Sequence, residues 1–188
     1  MRPFSTFLLC VIFVFGCISC SHDNQFKEEI LMLKSKPIIL HFNKMQAVYN
    51  GRDTVNAVSS DGMKLIVFTD SSSCSVCALS RMYFWNDLLG EIKYYDEKLK
   101  AYFIFSPLPK DLPSVRLSLS SLHFNQVVHL DTLGVLIDDN KHIPHHPAMH
   151  TFLLDEDNNV LLVGNPLENE KIEELFWQIV EEKLGKRE

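Results

Sequence analysis

The chain has 188 residues, 46% of them hydrophobic and 22% charged, with a formal net charge of −6. That length is enough for one domain with a real core. The acidic balance and the lack of a clustered basic stretch argue against a nucleic-acid partner, which would need cations to neutralise phosphates.

The N-terminus reads as an export segment. Met1 to Thr6 carries one positive side chain, Arg2, and Phe7 to Gly16 is a run of ten uncharged residues. Such a run is too short to span a bilayer and suits the apolar region of a signal peptide. Three of the five cysteines, Cys10, Cys17 and Cys20, fall here. Cys17-Ile18-Ser19-Cys20-Ser21 is similar to a bacterial lipobox, although Leu is usual where Cys17 stands. Residues 1–19 are therefore expected to be a lipoprotein-type signal peptide and Cys20 the lipidated residue, with Cys17 after Val14-Phe15-Gly16 as the rival site and an uncleaved anchor as the other reading. Residues 20–36 are polar and charged apart from Ile30-Leu31-Met32-Leu33, so they read as a tether that can end in a short helix. Residues 37–188 are expected to form the folded domain.

Pro37 to Phe42 has strand composition, and Gln46-Ala47-Val48-Tyr49 followed by Asn50-Gly51 suggests a second strand entering a turn, so the two are expected to make an N-terminal β-hairpin. Met63 to Thr69 reads as a buried strand. It leads into Cys74-Ser75-Val76-Cys77 and then a helix expected to run to about Tyr95, with Leu79, Met82, Phe84, Trp85, Leu88, Leu89 and Ile92 on its apolar side. A C-x-x-C at a strand-to-helix junction sets its first sulfur at a helix N-terminus, where unpaired N–H groups favour a thiolate. That is the geometry of a dithiol redox centre, while a plain structural disulfide is the competing reading outside the cytoplasm. Leu99 to Phe105 is the next strand, Asp111 to Leu122 a helix with Pro113 near its start, and Val127 to Leu130 a further strand. Thr132 to Asp139 reads as a short helix and Lys141 to Ala148 as a loop. His150 to Leu154 and Val160 to Val163 spell a hairpin across the polar turn Asp155 to Asn159. A final helix begins at Asn165-Pro166, with Ile172, Leu175, Phe176, Ile179, Val180 and Leu184 along one face. Asp53, Asp61 and Asp70 read as loop acids without evident partners, and His22, His41, His123 and His129 as surface or satisfied residues.

This order of elements resembles the thioredoxin superfamily over roughly residues 63–184, and most of all the TlpA/ResA-like envelope thioredoxins. The strand leading into the dithiol is one matched element; Thr151-Phe152-Leu153-Leu154-Asp155, its turn, and Val160-Leu161-Leu162-Val163-Gly164 are the other. The resemblance implies an α/β thioredoxin fold, a central mixed sheet flanked by helices, here with an N-terminal β-hairpin extension. It further implies a protein of the bacterial cell envelope, lipid-anchored on the outer membrane or facing the periplasm. Its partners would be envelope thiol/disulfide proteins and a membrane redox partner, and it would need no cofactor beyond a redox-active Cys74–Cys77 disulfide. Cys74 would attack and Cys77, one turn inward, would resolve the mixed disulfide. The departures from the family pattern are local. Ser73 stands where Trp commonly precedes the first cysteine, and Phe68 where a buried acid relays protons, with Asp70 out of register. Met149 holds the cis-proline position and Pro147 lies two residues early, so either Pro147 is the cis residue or Met149 fills the site with a trans peptide.

The same resemblance places the loop His142, His145, His146 and His150 against the C-x-x-C. With Cys74 and Cys77 these could form a copper or zinc site, Met149 adding a soft ligand for copper; the bland alternative is a solvated loop whose histidines do not converge. Pro147, Met149 and His150 are the candidates for a substrate-facing loop, with Met149 or His150 able to tune Cys74. A copper- or zinc-handling protein and a non-catalytic thioredoxin-like binding module, its two cysteines permanently bonded, are the alternatives to thiol–disulfide exchange.

Overall fold

A computed structural model of the chain describes residues 24–55, 58, 61–122 and 124–186. The expected signal peptide, Cys17 and Cys20, His22 and His123 lie outside them. Helix α1 covers 24–33. Strands β1 (Gln46–Tyr49), β2 (Arg52–Asp53) and β3 (Met63–Thr69) follow, then helices α2 (Ser75–Leu79) and α3 (Trp85–Ile92). Next come β4 (Leu99–Phe105), α4 (Leu112–Ser121), β5 (Val128–Leu130) and α5 (Val135–Asp139), and last the hairpin β6 (Thr151–Leu154) and β7 (Val160–Val163) with α6 (Glu170–Leu184).

The seven strands form one mixed sheet in the order β2-β1-β5-β4-β3-β6-β7. β3 and β4 are parallel along their whole length, from Met63 opposite Leu99 to Thr69 opposite Phe105, and β5 continues the parallel set beside β4. β6 runs antiparallel to β3, with Val67 opposite Thr151. Because successive strand side chains point to opposite faces, the near-continuous apolar runs of β3 and β4 supply two cores at once, the pattern of strands covered on both sides. Leu65, Leu99, Phe103, Phe105 and Leu153 pack on one face against Leu79, Trp85, Leu88, Val115 and Phe176 of the helices. Ile66, Phe68, Ile104, Phe152 and Leu154 pack on the other against Leu33, Ile38, Phe42, Leu136 and Met149.

Several expected elements shift, each for a local reason. The hairpin forms, but around Asn50-Gly51 between β1 and β2, whose positive φ values of 49° and 75° suit a tight primed turn. Pro37 to Phe42 is not its partner strand. Ile38 donates its N–H to the Asn158 carbonyl (2.9 Å), and both backbone groups of Ile39 bond the buried Asn140 side chain (2.7 and 2.9 Å), so this segment satisfies itself without a ladder. The expected tether folds in part onto the domain: Leu33 is fully buried, Phe26 and Ile30 pack beside it, and Lys34 Nζ donates to the Leu161 carbonyl at 3.0 Å.

The long helix expected from the C-x-x-C to Tyr95 is broken. The Ser80 hydroxyl donates to the Cys77 carbonyl (2.8 Å), a single 3₁₀ turn covers Met82–Phe84, and α3 restarts at Trp85 with Leu88, Leu89 and Ile92 inward. The break turns Tyr83 and Phe84 to solvent, where their rings lie 4.0 Å apart, so Phe84 is not part of the apolar side. α6 starts at Glu170, not Asn165-Pro166, because Asn169 is its cap: the side-chain oxygen accepts the Lys171 and Ile172 N–H groups at 3.0 and 3.2 Å. Among the loop acids, Asp53 has a partner after all, Arg116 of α4 at 2.7 Å, which also donates to Gln46 (2.8 Å) and ties the hairpin to that helix. Among the described residues no helix is long and apolar enough to cross a membrane.

Candidate active site

β3 delivers the chain to the C-terminal edge of the sheet, and Asp70 organises the turn that follows. Its carboxylate accepts from the Ser72 hydroxyl (2.8 Å), the Ser73 hydroxyl (2.8 Å) and the Ser73 N–H (3.0 Å). Burial alone would raise this carboxyl. The hydrogen bonds from Ser72 and Ser73, with attraction from His150, outweigh it and hold the group below the ordinary carboxylate range. Asp70 is thus committed to the turn rather than placed beneath the sulfurs.

Cys74 caps α2, its Sγ accepting the Cys77 N–H at 3.3 Å, and the two cysteines are joined in a disulfide with their Cα atoms 5.2 Å apart. The inward stripe of this single turn is Ser75 and Leu79, both buried. Cys77 lies two residues from each, about 200° around the helix, so it is exposed like Cys74. Cys77, one turn on from Cys74, is thus as open to solvent as the cysteine that caps the helix.

The disulfide forms one wall of a cleft of about 530 Å³ that also touches Phe105, Trp85, Pro147, His150 and Thr151. Of the substrate-loop candidates, Pro147 and His150 line it, whereas Met149 is fully buried in the second core. Pro147–Met149 form one 3₁₀ turn, and no peptide bond among the described residues is cis, so Met149 fills the position with a trans peptide. His150 is buried on the Phe68 ring (centroids 5.0 Å apart), and its Nε2 bonds the Pro144 carbonyl at 2.9 Å. Since a carbonyl only accepts, Nε2 carries the proton. Burial pushes the imidazole below its ordinary value, against the pull of that hydrogen bond and of Asp70.

The six-residue metal set does not assemble. His146 Nδ1 accepts the Ala148 N–H (3.3 Å), His145 is exposed, His150 is turned to Pro144, and the two sulfurs are bonded to each other. Among the described residues no group of three or more His, Cys, Asp or Glu side chains is placed to hold a metal ion. The cleft also holds residues that sequence reasoning passed over: Arg81, Asn165 and Glu168. Arg81 could have been found, since it stands only four residues after Cys77 in the sequence; Asn165 and Glu168 carry no such signal.

The decisive observation is topological. A strand ends at the bonded C-x-x-C, crosses over through helices to a parallel neighbour, and is flanked on its other side by the antiparallel hairpin β6–β7 with α6 after it. The fold is thioredoxin-like. No protein-family model matches this thioredoxin-like chain, and no curated protein does. Among solved structures, it is similar to a thiol:disulfide interchange protein of a Bacteroides species (14% identity, 68% of this chain and 76% of the other, TM-score 0.42). It is also similar to StoA of Bacillus subtilis (17%, 69% and 92%, TM-score 0.41). A third likeness is to the thioredoxin domain of a thiol-disulfide oxidoreductase of Bacteroides vulgatus (20%, 62% and 80%, TM-score 0.39).

Proposed function

We propose that this protein exchanges thiols and disulfides through Cys74 and Cys77, outside the cytoplasm and lipid-anchored at Cys20, or at Cys17 if the signal peptide is cut earlier. The observation that carries the reading is an exposed Cys74–Cys77 bond at the first turn of a helix, opening on a cleft. In the reduced protein, the Cys74 thiolate attacks a substrate disulfide, forms a mixed disulfide and releases one substrate thiol. Cys77 then attacks the Cys74 sulfur, restoring the Cys74–Cys77 bond and releasing the second thiol. Cys74 is the attacker because its sulfur accepts the Cys77 N–H at the start of the helix it caps. Ser75 and Val76 add no cation to that stabilisation, which favours a reductant or isomerase over a strong oxidant. Envelope thiol proteins and a membrane redox partner are the proposed partners.

The test is the reduction potential of the Cys74–Cys77 pair, equilibrated against glutathione. A potential between about −120 and −270 mV, the span of exchange catalysts, is expected; a value below about −300 mV would mean a structural disulfide and overturn the reading. On the same protein, Cys74→Ser should abolish exchange, whereas Cys77→Ser should trap a mixed disulfide. Mass spectrometry of the mature N-terminus decides whether Cys20 carries lipid.

A further inference from the structure

The cleft beside the disulfide is poorly made for an extended peptide. Recognition by strand addition needs a run of unpaired backbone donors and acceptors along the site. Here the wall opposite the sulfurs has spent its donors internally. Ala148 N–H goes to His146 Nδ1 (3.3 Å), Met149 N–H to the His146 carbonyl (2.9 Å) and His150 N–H to the Pro147 carbonyl (3.0 Å). Beyond it Thr151 is already paired with Val67, and its carbonyl accepts from Gly164 at 2.8 Å.

The cleft offers side chains in place of backbone. Arg81, just past α2, and Glu168, between β7 and α6, both line it and both are exposed. They come from different segments of the chain, and neither charge is paired with the other or with any other side chain among the described residues. A space of about 530 Å³ with a disulfide at its mouth, an apolar lining of Met82, Trp85 and Phe105, and two unpartnered opposite charges suits a small zwitterion. With both sulfurs exposed, such a molecule reaches the dithiol without having to open the fold.

Resting on the exchange reading, we infer that the cleft takes a low-molecular-weight thiol or disulfide of the amino-acid type, its carboxylate held by Arg81 and its ammonium by Glu168. The step balances. The reduced protein gives two electrons and two protons: Cys74 attacks one sulfur of the small disulfide and releases one small thiol, and Cys77 displaces the second as the Cys74–Cys77 bond forms. The small disulfide is reduced to two thiols, and the protein dithiol is oxidised.

The test measures second-order rates of the reduced full-length protein with cystine (both charges), cystamine (ammonium only), dithiodiglycolate (carboxylate only) and a disulfide-bonded peptide. Each rate is divided by that of dithiothreitol with the same compound, to remove intrinsic reactivity. Cystine is expected to lead the series. Arg81→Gln should slow cystine and dithiodiglycolate by about three- to tenfold, as loss of a charge-assisted contact would, and leave cystamine unchanged; Glu168→Gln should slow cystine and cystamine and spare dithiodiglycolate. A peptide disulfide that outruns cystine, or variants that move all compounds alike, would overturn the inference while leaving exchange intact. Failure of every disulfide to react would remove the exchange reading itself.

Discussion

Cys74 and Cys77 differ less in burial than in what their backbones do. Cys74 is the cap whose sulfur accepts an N–H, and Cys77 supplies that N–H, so the asymmetry between attacker and resolver is one of hydrogen bonding. The buried histidines carry a second residue-scale consequence. Burial lowers His129 to about 4, the backbone of Phe103 opposing it with a hydrogen bond, and it lowers His150 in the same direction. For a histidine with a depressed folded value, the unfolded chain takes up the proton first. Stability is therefore full above about pH 6.5 and falls as the pH drops toward 4, by about 3 kcal/mol from His129 alone. Urea unfolding of the wild type and of His129→Gln at pH 7 and pH 4.5 checks this: the variant should lose less stability on acidification, and an equal loss in both would refute the assignment.

At the scale of elements, two connections depend on backbone geometry. The β1–β2 turn packs on α4 so closely that a Cβ on Gly51 would lie 2.6 Å from the Arg116 carbonyl oxygen and 2.8 Å from the Ser120 Cβ, in a residue whose φ is already +75°. Gly51→Ala should cost on the order of 1–3 kcal/mol and loosen the hairpin from α4, read as a lower thermal midpoint with earlier amide exchange in β1. α6 depends on its cap, so Asn169→Ala should cost about 1 kcal/mol in chemical unfolding. That helix was legible in advance from its apolar spacing; its start was not, since Asn165-Pro166 carries a start signal that the chain does not use and the cap forms at Asn169. The break between α2 and α3 was likewise hidden. The apolar residues keep helical spacing through it, and only contact with the sheet decides that Trp85 turns inward and Phe84 outward.

At the scale of the whole molecule, one sheet with apolar residues on both faces makes the helices interdependent. Phe176 of α6 is fully buried in the same core as Leu65, Leu79 and Trp85, so α6 clamps the face that carries the disulfide helix. Phe176→Ala should cost about 3–5 kcal/mol, measured as a fall in the denaturant midpoint. The sequence by itself determined the order of the strands from β3 to β7, the bounds of β3, β4 and β7, and the dithiol that follows β3. These follow from local periodicity and from a motif whose chemistry lies in adjacent residues. Tertiary structure alone decided that Ile38 and Ile39 bond to Asn158 and Asn140 instead of a strand, that Arg116 meets Asp53, and that Arg81 and Glu168 share a cleft. Each of these is a contact between residues far apart in the chain, chosen by where buried polar groups find partners and where apolar surface finds cover, and neither choice leaves a local pattern to read.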